Sequence, residues 1–562
     1  MTYALSSGVT GLQAHQTMLD VAGNNLANVN TTAFKSSRVG FAELLGQTLQ
    51  QGSRPTDQIG GTNPQKIGSG VGIKSISPNM GQGGIVNTGN SFDVAIDGQG
   101  YFVVNDGNKN LYTRAGSFAV DEDGHLVDPA TGFLVQRIGV VGETDGFQAV
   151  GDSSITVPYD VSLPAQLTSS VTVTGNLSAD ETSEIQTQVS TSAQAYSYSG
   201  GSTAVLATEI DQLDQFTGGS QPDGQLGAAE TGTITIGGYH PDGTAFTTGL
   251  TFTVTDTTTF DDLITHLNTN VLTDATASMA NGRIRITDNT TGYSQSDISM
   301  SYSGTGTFEA PPYFELTTVG GDSVKNVNIG IYDSQGGKHV LSAAFVKTDT
   351  VNTWDLVITS VTGGVEGIDP DERRINGVSF DPQSGAFTGI PTTETSEFTM
   401  TFSHDPATPQ TIAIDLGTVG GFDGVTQFAG SSTAVAREQD GFGAGSLTSV
   451  SIDKGGVLVG AFSNGTKRDI ATMALGLFNN DSGLLGVGGG YFVPSANSGD
   501  PVLSEAMAGG AGSTVGGALE KSNADVATEF VTLIQAQNGY QANARTIRVA
   551  NEVLQELANL IR

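Results

Sequence analysis

The chain has 562 residues and a formal net charge of −34, from 57 acidic and 23 basic residues. This charge excludes the basic surface that nucleic-acid-binding proteins need and disfavours anionic membranes. Cysteine is absent. No run of roughly 18 apolar residues occurs, so we expect no membrane insertion. The first residues lack the basic and apolar segments of a secretory signal, so we expect no cleaved leader.

The charge is unevenly distributed along the chain. Residues 1–40 carry a net charge of +1 and residues 519–562 a net charge of −1, so the middle carries the whole excess. Nearly neutral ends can pack closely against each other or against further copies. An acidic middle stays solvated and resists non-specific association.

Residues 4–30 are predicted to form a helix with leucine at every seventh position. Gly8, Gly11 and Gly23 each weaken it by about 1 kcal/mol relative to alanine. Such a helix is marginal alone, so we expect it to need a tertiary or quaternary partner. The repeated leucines are Leu5, Leu12, Leu19 and Leu26.

The middle of the chain has the composition of short strands joined by tight turns. Residues 36–90 are expected to be an extended connector with at most short strands, and 506–517 a Gly/Ala linker. Between them, hairpins turn at Gly98–Gly100 and at 121–124. Predicted strands lie at 231–236, 252–254, 283–287, 327–361 and 446–478, and a short helix at 259–269 is capped by Thr259.

The last helix is predicted to start near Ser522, where Ser522 and Asp525 have capping-box spacing. About 40 helical residues would span about 60 Å. A second seven-residue apolar repeat predicts that the two ends of the chain meet, within one subunit or between neighbours. Ordinary core helices of a soluble domain are the alternative. The repeat comprises Leu519, Val526, Leu533, Tyr540, Ile547, Leu554 and Ile561.

Short motifs that imitate catalytic or ligand sites are better explained as turns. Gly98-x-Gly100 and Gly486-x-Gly488 do not open a helix of a βαβ unit, and 121–124 lacks the remaining ligands of a calcium loop. The six histidines have no zinc-type spacing. We therefore expect no catalytic residues, no cofactor and no metal.

Several segments resemble the flagellar rod/hook axial protein family. They are 24–35 near the N-terminus, 96–104 and 112–118 in the first hairpins, and 519–525 and 540–543 near the C-terminus. The positions that carry the resemblance are Asn24, Asn28, Asn30, Phe34, Lys35, Asp97, Gly98, Gly100, Phe102, Arg114, Gly116, Phe118, Leu519, Glu520, Ser522, Asn523, Tyr540 and Asn543.

Within that family the flagellar hook proteins fit best. Residues 331–336, followed by His339, resemble their outer domain, and 463–465 and 497–499 resemble their returning β-segments. Residues 231–300 are similar to an insertion found in hook-associated proteins and some flagellins. Rod proteins share the terminal motifs but are much shorter.

The resemblance implies a multidomain α+β protein, mainly β, with a coiled-coil-like helical domain formed by both chain ends and several nested β-domains. It implies a helical inner-tube domain from 1–35 with 515–562, the connector 36–90, and a middle domain from 91–178 with 425–510. An outer domain would comprise 179–200 with 327–424, and 201–326 would be an inserted extra domain.

The implied function is that of a structural subunit of the extracellular flagellar hook, a flexible tube that transmits torque from rod to filament. Implied partners are further copies, the distal rod protein, the hook cap, the hook–filament junction proteins and the type III export apparatus. The alternatives are an elongated distal-rod or other axial protein, or a secreted β-rich enzyme or carbohydrate-binding protein.

Overall fold

The computed structural model describes residues 2–180 and 185–560, which form many short strands with a long helix at each end. The expected mainly-β, multidomain class with helical ends is confirmed. The chain divides into two compact units. Unit 1 is Met1–Leu163 with Gly445–Arg562, and unit 2 is Pro164–Ala444.

The described residues contain three α-helices: α1 (Thr2–Ala27), α2 (Phe260–His266) and α3 (Val526–Leu560). Helix α3 has 35 residues and is therefore about 52 Å long. Its expected start near Ser522 is wrong by four residues. Asp525 is the capping side chain, because its carboxylate accepts the backbone N–H groups of Ala527 (3.3 Å) and Thr528 (3.2 Å).

Residues 37–78 of unit 1 form a long two-stranded β-ribbon where a connector was expected. Ser37–Glu43 pairs antiparallel with Val71–Pro78, and Gln47–Gln50 pairs with Gln65–Ile67. Bridges between Ser53 and Thr62 and between Thr56 and Ile59 continue the ribbon to its tip. Helix α1 packs against both strands at the ribbon's base.

The rest of unit 1 is a β-domain that draws strands from both arms of the chain. Tyr101–Asn105 lies at the centre of a nine-stranded sheet, between Asn110–Thr113 and Leu134–Val135. The expected linker at 506–517 is wrong in part, since Ser513–Gly516 pairs with Val94–Asp97. The remaining strands are Ile85–Asn87, Ala119–Val120, Leu126–Val127, Leu447–Ile452, Val457–Phe462, Lys467–Thr472, Leu475–Leu477, Leu485–Gly488, Tyr491–Val493, Val502–Ser504 and Ala518–Glu520.

Two sheets of unit 2 share one core around Trp354, which is fully buried. One sheet is a five-stranded antiparallel meander and the other has six strands. The meander consists of Val324–Tyr332, Lys338–Lys347, Thr353–Val361, Arg374–Phe380 and Phe387–Gly389. The other sheet consists of Ser170–Ser178, Val365–Gly367, Glu397–Phe402, Gln410–Asp415, Val425–Phe428 and Val435–Gln439.

A further part of unit 2 has its own core, centred on Phe260 of helix α2. Thr259 caps that helix, as the sequence predicted, and Asp262 completes a capping box with it. The strands are Val189–Ser192, Ser197–Tyr198, Ser202–Thr203, Phe216–Thr217, Gly232–Tyr239, Thr251–Val254, Ala275–Ala280, Arg283–Asp288, Asp297–Gly304, Thr307–Phe308 and Phe314–Thr318.

Candidate assembly site where the chain ends meet

Helices α1 and α3 pack antiparallel in one subunit, with glycines at their closest approach. A Cβ atom added to Gly11 would lie 2.6 Å from Oδ1 of Asn543, and one added to Gly539 would lie 2.4 Å from the ring of His15. A Cβ on Gly8 would lie 3.0 Å from Ile547. Gly8 and Gly11, which weaken α1 as an isolated helix, thus let α3 approach closely.

The buried stripe of α1 consists of small residues, while the seven-residue repeat lies beside it. Gly8, Gly11, Ala14, Ala22 and Asn25 are buried. The four leucines of the repeat are half-buried, as are Leu533, Tyr540 and Ile547 on α3, whereas Val526 and Leu554 are exposed. Ile561 lies outside the described residues. The repeat therefore borders the contact between the helices and keeps part of its apolar surface exposed.

Helix α3 extends beyond the N-terminal end of α1. Residues 551–560 are all exposed. They include Val553, Leu554, Leu557 and Leu560, and the exposed fractions of Leu554 and Leu557 are 42% and 40%. Ala4, Val549 and Val553 line an adjoining groove of about 640 Å³. An exposed apolar surface of this kind marks a place where another macromolecule binds.

A buried charge cluster joins the two chain ends to the β-domain. Lys35 Nζ donates to Glu520 Oε1 at 2.7 Å and to the Gly81 carbonyl at 2.9 Å. The backbone N–H of Gly83 donates to the same carboxylate oxygen at 2.7 Å. Arg114 Nη1 lies 3.6 Å from Glu520 Oε2. One carboxylate thus faces two cations and a backbone donor.

Burial affects the ionisation of this cluster. Desolvation lowers the pKa of Lys35, and the hydrogen bond and charge of Glu520 act in the opposite direction. The side chains of Lys35 and Glu520 are only 2% and 0% exposed. A buried cation of this kind depends on its partner, because an unpaired charge in the interior is costly.

Two asparagines connect the helices to the base of the ribbon. Asn523 Nδ2 donates to the carbonyls of Asn79 (2.7 Å) and Gly81 (2.9 Å), and its Oδ1 accepts the N–H of Ser36. Asn25 Nδ2 donates to the Ser37 carbonyl and to Glu529, and its Oδ1 accepts the N–H of Ser37. The sequence prediction omitted Asn25 as a site residue. The sequence signal for Asn25 is its position three residues after Ala22, which places both on one face of the helix. The structure shows that this face packs against α3.

The motif glycines of the β-domain serve its turns and its packing. Gly98 and Gly100 have φ angles of +115° and +124°, and the Gly98 carbonyl accepts a hydrogen bond from Arg114 at 2.8 Å. A Cβ on Gly116 would lie 1.8 Å from the Val94 carbonyl. Beside it, the rings of Phe102 and Phe118 pack edge to face at 5.4 Å. These contacts position Arg114 against Glu520.

Other predicted residues lie outside the cluster. Asn24 and Asn28 form a local turn, in which Asn28 Nδ2 donates to the Asn24 carbonyl at 2.9 Å, and Asn30 is exposed. Ser522 accepts from the Ala524 N–H, and Asp97 accepts from Gln82. Phe34 and Leu519 contribute backbone bonds, to Asn523 and to Val86 respectively.

Neither a membrane span nor a metal cluster is found in the described ranges. No helix there has the length and apolar character needed to cross a bilayer. No three or more His, Asp or Glu side chains within residues 2–180 and 185–560 are arranged to hold a metal ion.

Comparison with known proteins identifies the family. The chain is 31% identical to the flagellar hook protein FlgE of Borreliella burgdorferi and 30% identical to that of Treponema pallidum, in each case over 100% of both chains. The chain belongs to the flagellar hook protein family. It is a structural subunit of the flagellar hook rather than an enzyme, and the resemblance seen in the sequence is confirmed.

Four family descriptions match separate parts of this hook protein. Residues 5–35 match "Flagella basal body rod protein" and 95–179 match "Flagellar hook protein FlgE/F/G D1 domain". Residues 317–442 match "Flagellar basal body protein FlaE D2 domain", and 515–560 match "Flagellar basal body rod FlgEFG protein C-terminal". Lys35, Arg114 and Glu520 come from three of these four matches.

A solved relative is the hook protein FlgE2 of Helicobacter pylori. It is 18% identical, covers 76% of this chain and 98% of its own, and has a TM-score of 0.39.

Proposed function

We propose that this subunit polymerises through its terminal helices into a flexible tube that works as a universal joint between rod and filament. The exposed apolar part of α3 beyond α1 carries the proposal, because Leu554 and Leu557 remain 42% and 40% exposed in the subunit. Covering a leucine contributes roughly 1.5–3 kcal/mol. Repeated along a polymer, such contacts supply axial cohesion.

The proposed contacts between copies involve the two apolar repeats. Their half-buried and exposed members retain surface that a neighbouring subunit can cover. The proposed interface residues are Leu5, Leu12, Leu19, Leu26, Val526, Leu533, Tyr540, Ile547, Leu554 and Ile561, the last of which lies outside the described residues.

The distribution of charge supports flexibility in the outer part of the polymer. Residues 164–444 contain 33 acidic and 8 basic residues, whereas the terminal helices are nearly neutral. Acidic surfaces on neighbouring copies repel one another weakly and stay hydrated. Copies can then slide at their outer domains while the inner helices remain attached.

We propose the domain division stated from the sequence with two changes. The middle domain ends at 163 and resumes at 445, because Ser170–Ser178 and Val425–Phe428 belong to the six-stranded sheet of unit 2. The second change is at the insertion. Val189–Ser192 lies in the same sheet as Arg283–Asp288, and Gln186 and Gly321 form an isolated bridge. An inserted domain running from 186 to 321 would therefore keep its sheet whole, whereas the boundaries 201 and 326 would divide it.

The proposed partners beyond further copies are the distal rod protein, the hook cap, the hook–filament junction proteins and the type III export apparatus. The family assignment supports membership of the axial structure. The terminal helices have exposed apolar surface that is available for contacts at either end of the polymer.

The test is complementation of cells that lack their hook protein. Wild-type chain should restore curved, flexible hooks visible by electron microscopy. Leu12→Asp with Leu19→Asp should abolish them, and Ile547→Asp should do the same, because each change places a carboxylate in a packed helical contact. Detection of the variant subunits in the culture medium shows that they are stable and exported. Normal hooks from these variants would refute the proposed interface.

A further inference from the structure

His339 in unit 2 has a hydrogen-bond acceptor at each ring nitrogen. Nδ1 lies 2.7 Å from the Thr362 carbonyl oxygen, and Nε2 lies 3.0 Å from Asp333 Oδ2. Carbonyl and carboxylate oxygens only accept, whereas a neutral imidazole carries hydrogen on one nitrogen alone. The imidazolium satisfies both contacts. The neutral ring would turn a lone pair toward one of the oxygens.

Asp333 is buried and built to be ionised. Its Oδ1 accepts the backbone N–H groups of Gln335 (2.9 Å) and Gly337 (2.7 Å). Burial alone would raise the pKa of Asp333, but the hydrogen bonds from His339 and the two backbone groups, with the charge of His404, bring it below its ordinary value. The carboxylate is therefore the anion to which His339 donates.

The surroundings add a second histidine to the same carboxylate. His404 Nδ1 lies 3.6 Å from Asp333 Oδ2, and its Nε2 lies 3.1 Å from Ser334 Oγ. The Phe402 ring stacks on His339 with centroids 4.4 Å apart. The nearest charged neighbours in sequence are Lys338, which lies along Gly330, and Asp405, which accepts from Thr408.

The turn at 333–337 packs against both segments by which the chain enters and leaves unit 2. A Cβ on Gly336 would lie 2.7 Å from the Ala165 side chain and 3.2 Å from Gly443 Cα. Beside the turn, the Thr168 N–H donates to the Tyr332 carbonyl at 2.9 Å, and the Tyr332 N–H donates to Thr168 Oγ1 at 2.8 Å. A loosened turn would loosen these contacts.

We propose that His339, Asp333 and His404 form a pH-sensitive clamp that holds the entry and exit segments of unit 2 to the 333–337 turn. The clamp is tight while His339 carries both ring protons and loosens when it loses one. Histidine is the side chain whose charge ordinarily changes between about pH 5 and 8. This device goes beyond the proposed polymerisation and does not depend on it.

Hydrogen exchange on the full chain tests the clamp. The amides of Gln335 and Gly337 should lose roughly threefold to tenfold protection between pH 6 and pH 8, after correction for intrinsic exchange. The reason is that the charged hydrogen bond from His339, which holds the Asp333 carboxylate in place, becomes weaker. Asp453 in unit 1 is the internal control. Its Oδ1 accepts the N–H groups of Gly455 and Val457, both at 2.9 Å, so it holds a similar turn through the same kind of hydrogen bonds.

His339→Gln is the matched variant, because its amide can donate to Asp333 without titrating. The pH dependence should disappear in this variant, and His404→Gln should reduce it. Equal pH dependence in the two turns, or an unchanged dependence in His339→Gln, would overturn the proposal. If His339→Gln unfolds unit 2, nitrogen NMR of the His339 ring in the wild-type protein tests the proposal instead, because it reports how many ring nitrogens are protonated. Two protonated nitrogens at pH 6 support the clamp, and a neutral ring there overturns it.

Discussion

Lys35 Nζ lies 2.7 Å from Glu520 Oε1, although 485 positions separate the two residues in the chain. Lys35 follows the end of α1 by eight residues, and Glu520 precedes the start of α3 by six. Both lie beside Arg114 of the β-domain. It therefore fixes both helices to the same point. The relationship explains why motif residues far apart in sequence serve one structural purpose.

Glu520→Gln should destabilise unit 1 strongly, because it leaves the buried Lys35 and Arg114 charges without their carboxylate. We expect the free energy of unfolding to fall by about 3–5 kcal/mol. The loss of unfolding free energy is measured by denaturant titration, with hydrogen exchange of the α1 and α3 amides as the readout. Lys521→Gln, at the exposed next residue, should change stability by less than about 0.5 kcal/mol. Similar small effects of both variants would show that the cluster is not structural.

Gly11→Ala should weaken the contact between α1 and α3, since the new Cβ would lie 2.6 Å from Asn543 Oδ1 and displace that side chain. Gly23→Ala is the control within the same helix, because no atom lies within 4 Å of its added Cβ. It should stabilise α1 by about 1 kcal/mol through helix propensity. Both changes bring the same gain in helix propensity, so exchange protection of α1 in purified subunits should be lower in Gly11→Ala than in Gly23→Ala. The reverse order would contradict the assigned helix contact.

The terminal helices could be predicted from the seven-residue repeats, and α2 from the Thr259 cap followed by acids. Their meeting was anticipated, but the contact itself was not. Small residues such as Gly11 and Ala14 form it, while hydrophobic periodicity draws attention to the leucines. The pairing of Lys35 with Glu520 was also out of reach, because sequence spacing carries no information about contacts between distant segments.

The β-ribbon at 37–78 and the strand Ser513–Gly516 were underestimated for a related reason. The ribbon is exposed along much of both strands, so it lacks a clear alternation of apolar and polar residues. Ser513–Gly516 follows a run of glycine and alanine that is typical of linkers. At Gly512, however, an added Cβ would lie 2.3 Å from the Asp97 carbonyl, so glycine there permits close strand contact.

Asp211→Asn should stabilise the inserted part of unit 2 above pH 6. The Asp211 side chain is buried, and burial raises its pKa to about 6 against the opposing hydrogen bond from the Leu226 N–H, with smaller contributions from the charges of Glu209 and Asp256. Because the pKa is higher in the folded than in the unfolded state, the protonated side chain favours folding. This contribution is fully present below about pH 4 and is lost as the pH rises through 6. Asparagine keeps the bond from the Leu226 N–H and should gain about 1 kcal/mol at pH 8, allowing for solvent screening.

The measurement is exchange protection of the strand Gly232–Tyr239 at pH 4 and pH 8. Asp214→Asn is the control with the opposite sign. Hydrogen bonds from Ser197, Gly200 and Gly201 lower the pKa of Asp214, so its contribution is present at neutral pH and lost on acidification. A gain for Asp211→Asn at pH 4 equal to that at pH 8 would contradict the argument.

Deleting 186–321 by joining Ile185 to Asp322 should leave polymerisation intact but weaken unit 2. The deleted segment supplies Asp297, whose carboxylate accepts from Arg373 at 2.8 and 3.0 Å, and Arg373 is 1% exposed. The deletion removes this carboxylate but also opens the guanidinium to water, so the cost is below the roughly 3–5 kcal/mol of a fully buried unpaired charge. The deletion combined with Arg373→Met should therefore be more stable than the deletion alone. Thermal unfolding compares the two proteins. Equal stabilities would show that the pairing of Asp297 with Arg373 does not stabilise unit 2.

The central claim is that the apolar end of α3 joins one subunit to the next. Leu554→Asp with Leu557→Asp tests it most directly, because both side chains lie on the exposed end of α3 beyond α1. Purified variant should match wild type in thermal unfolding, while electron microscopy of complemented cells should show no hooks although the subunit is exported. Glu552→Gln, on the same exposed segment, should assemble normally. Hooks of normal length and curvature from the double variant would contradict the claim.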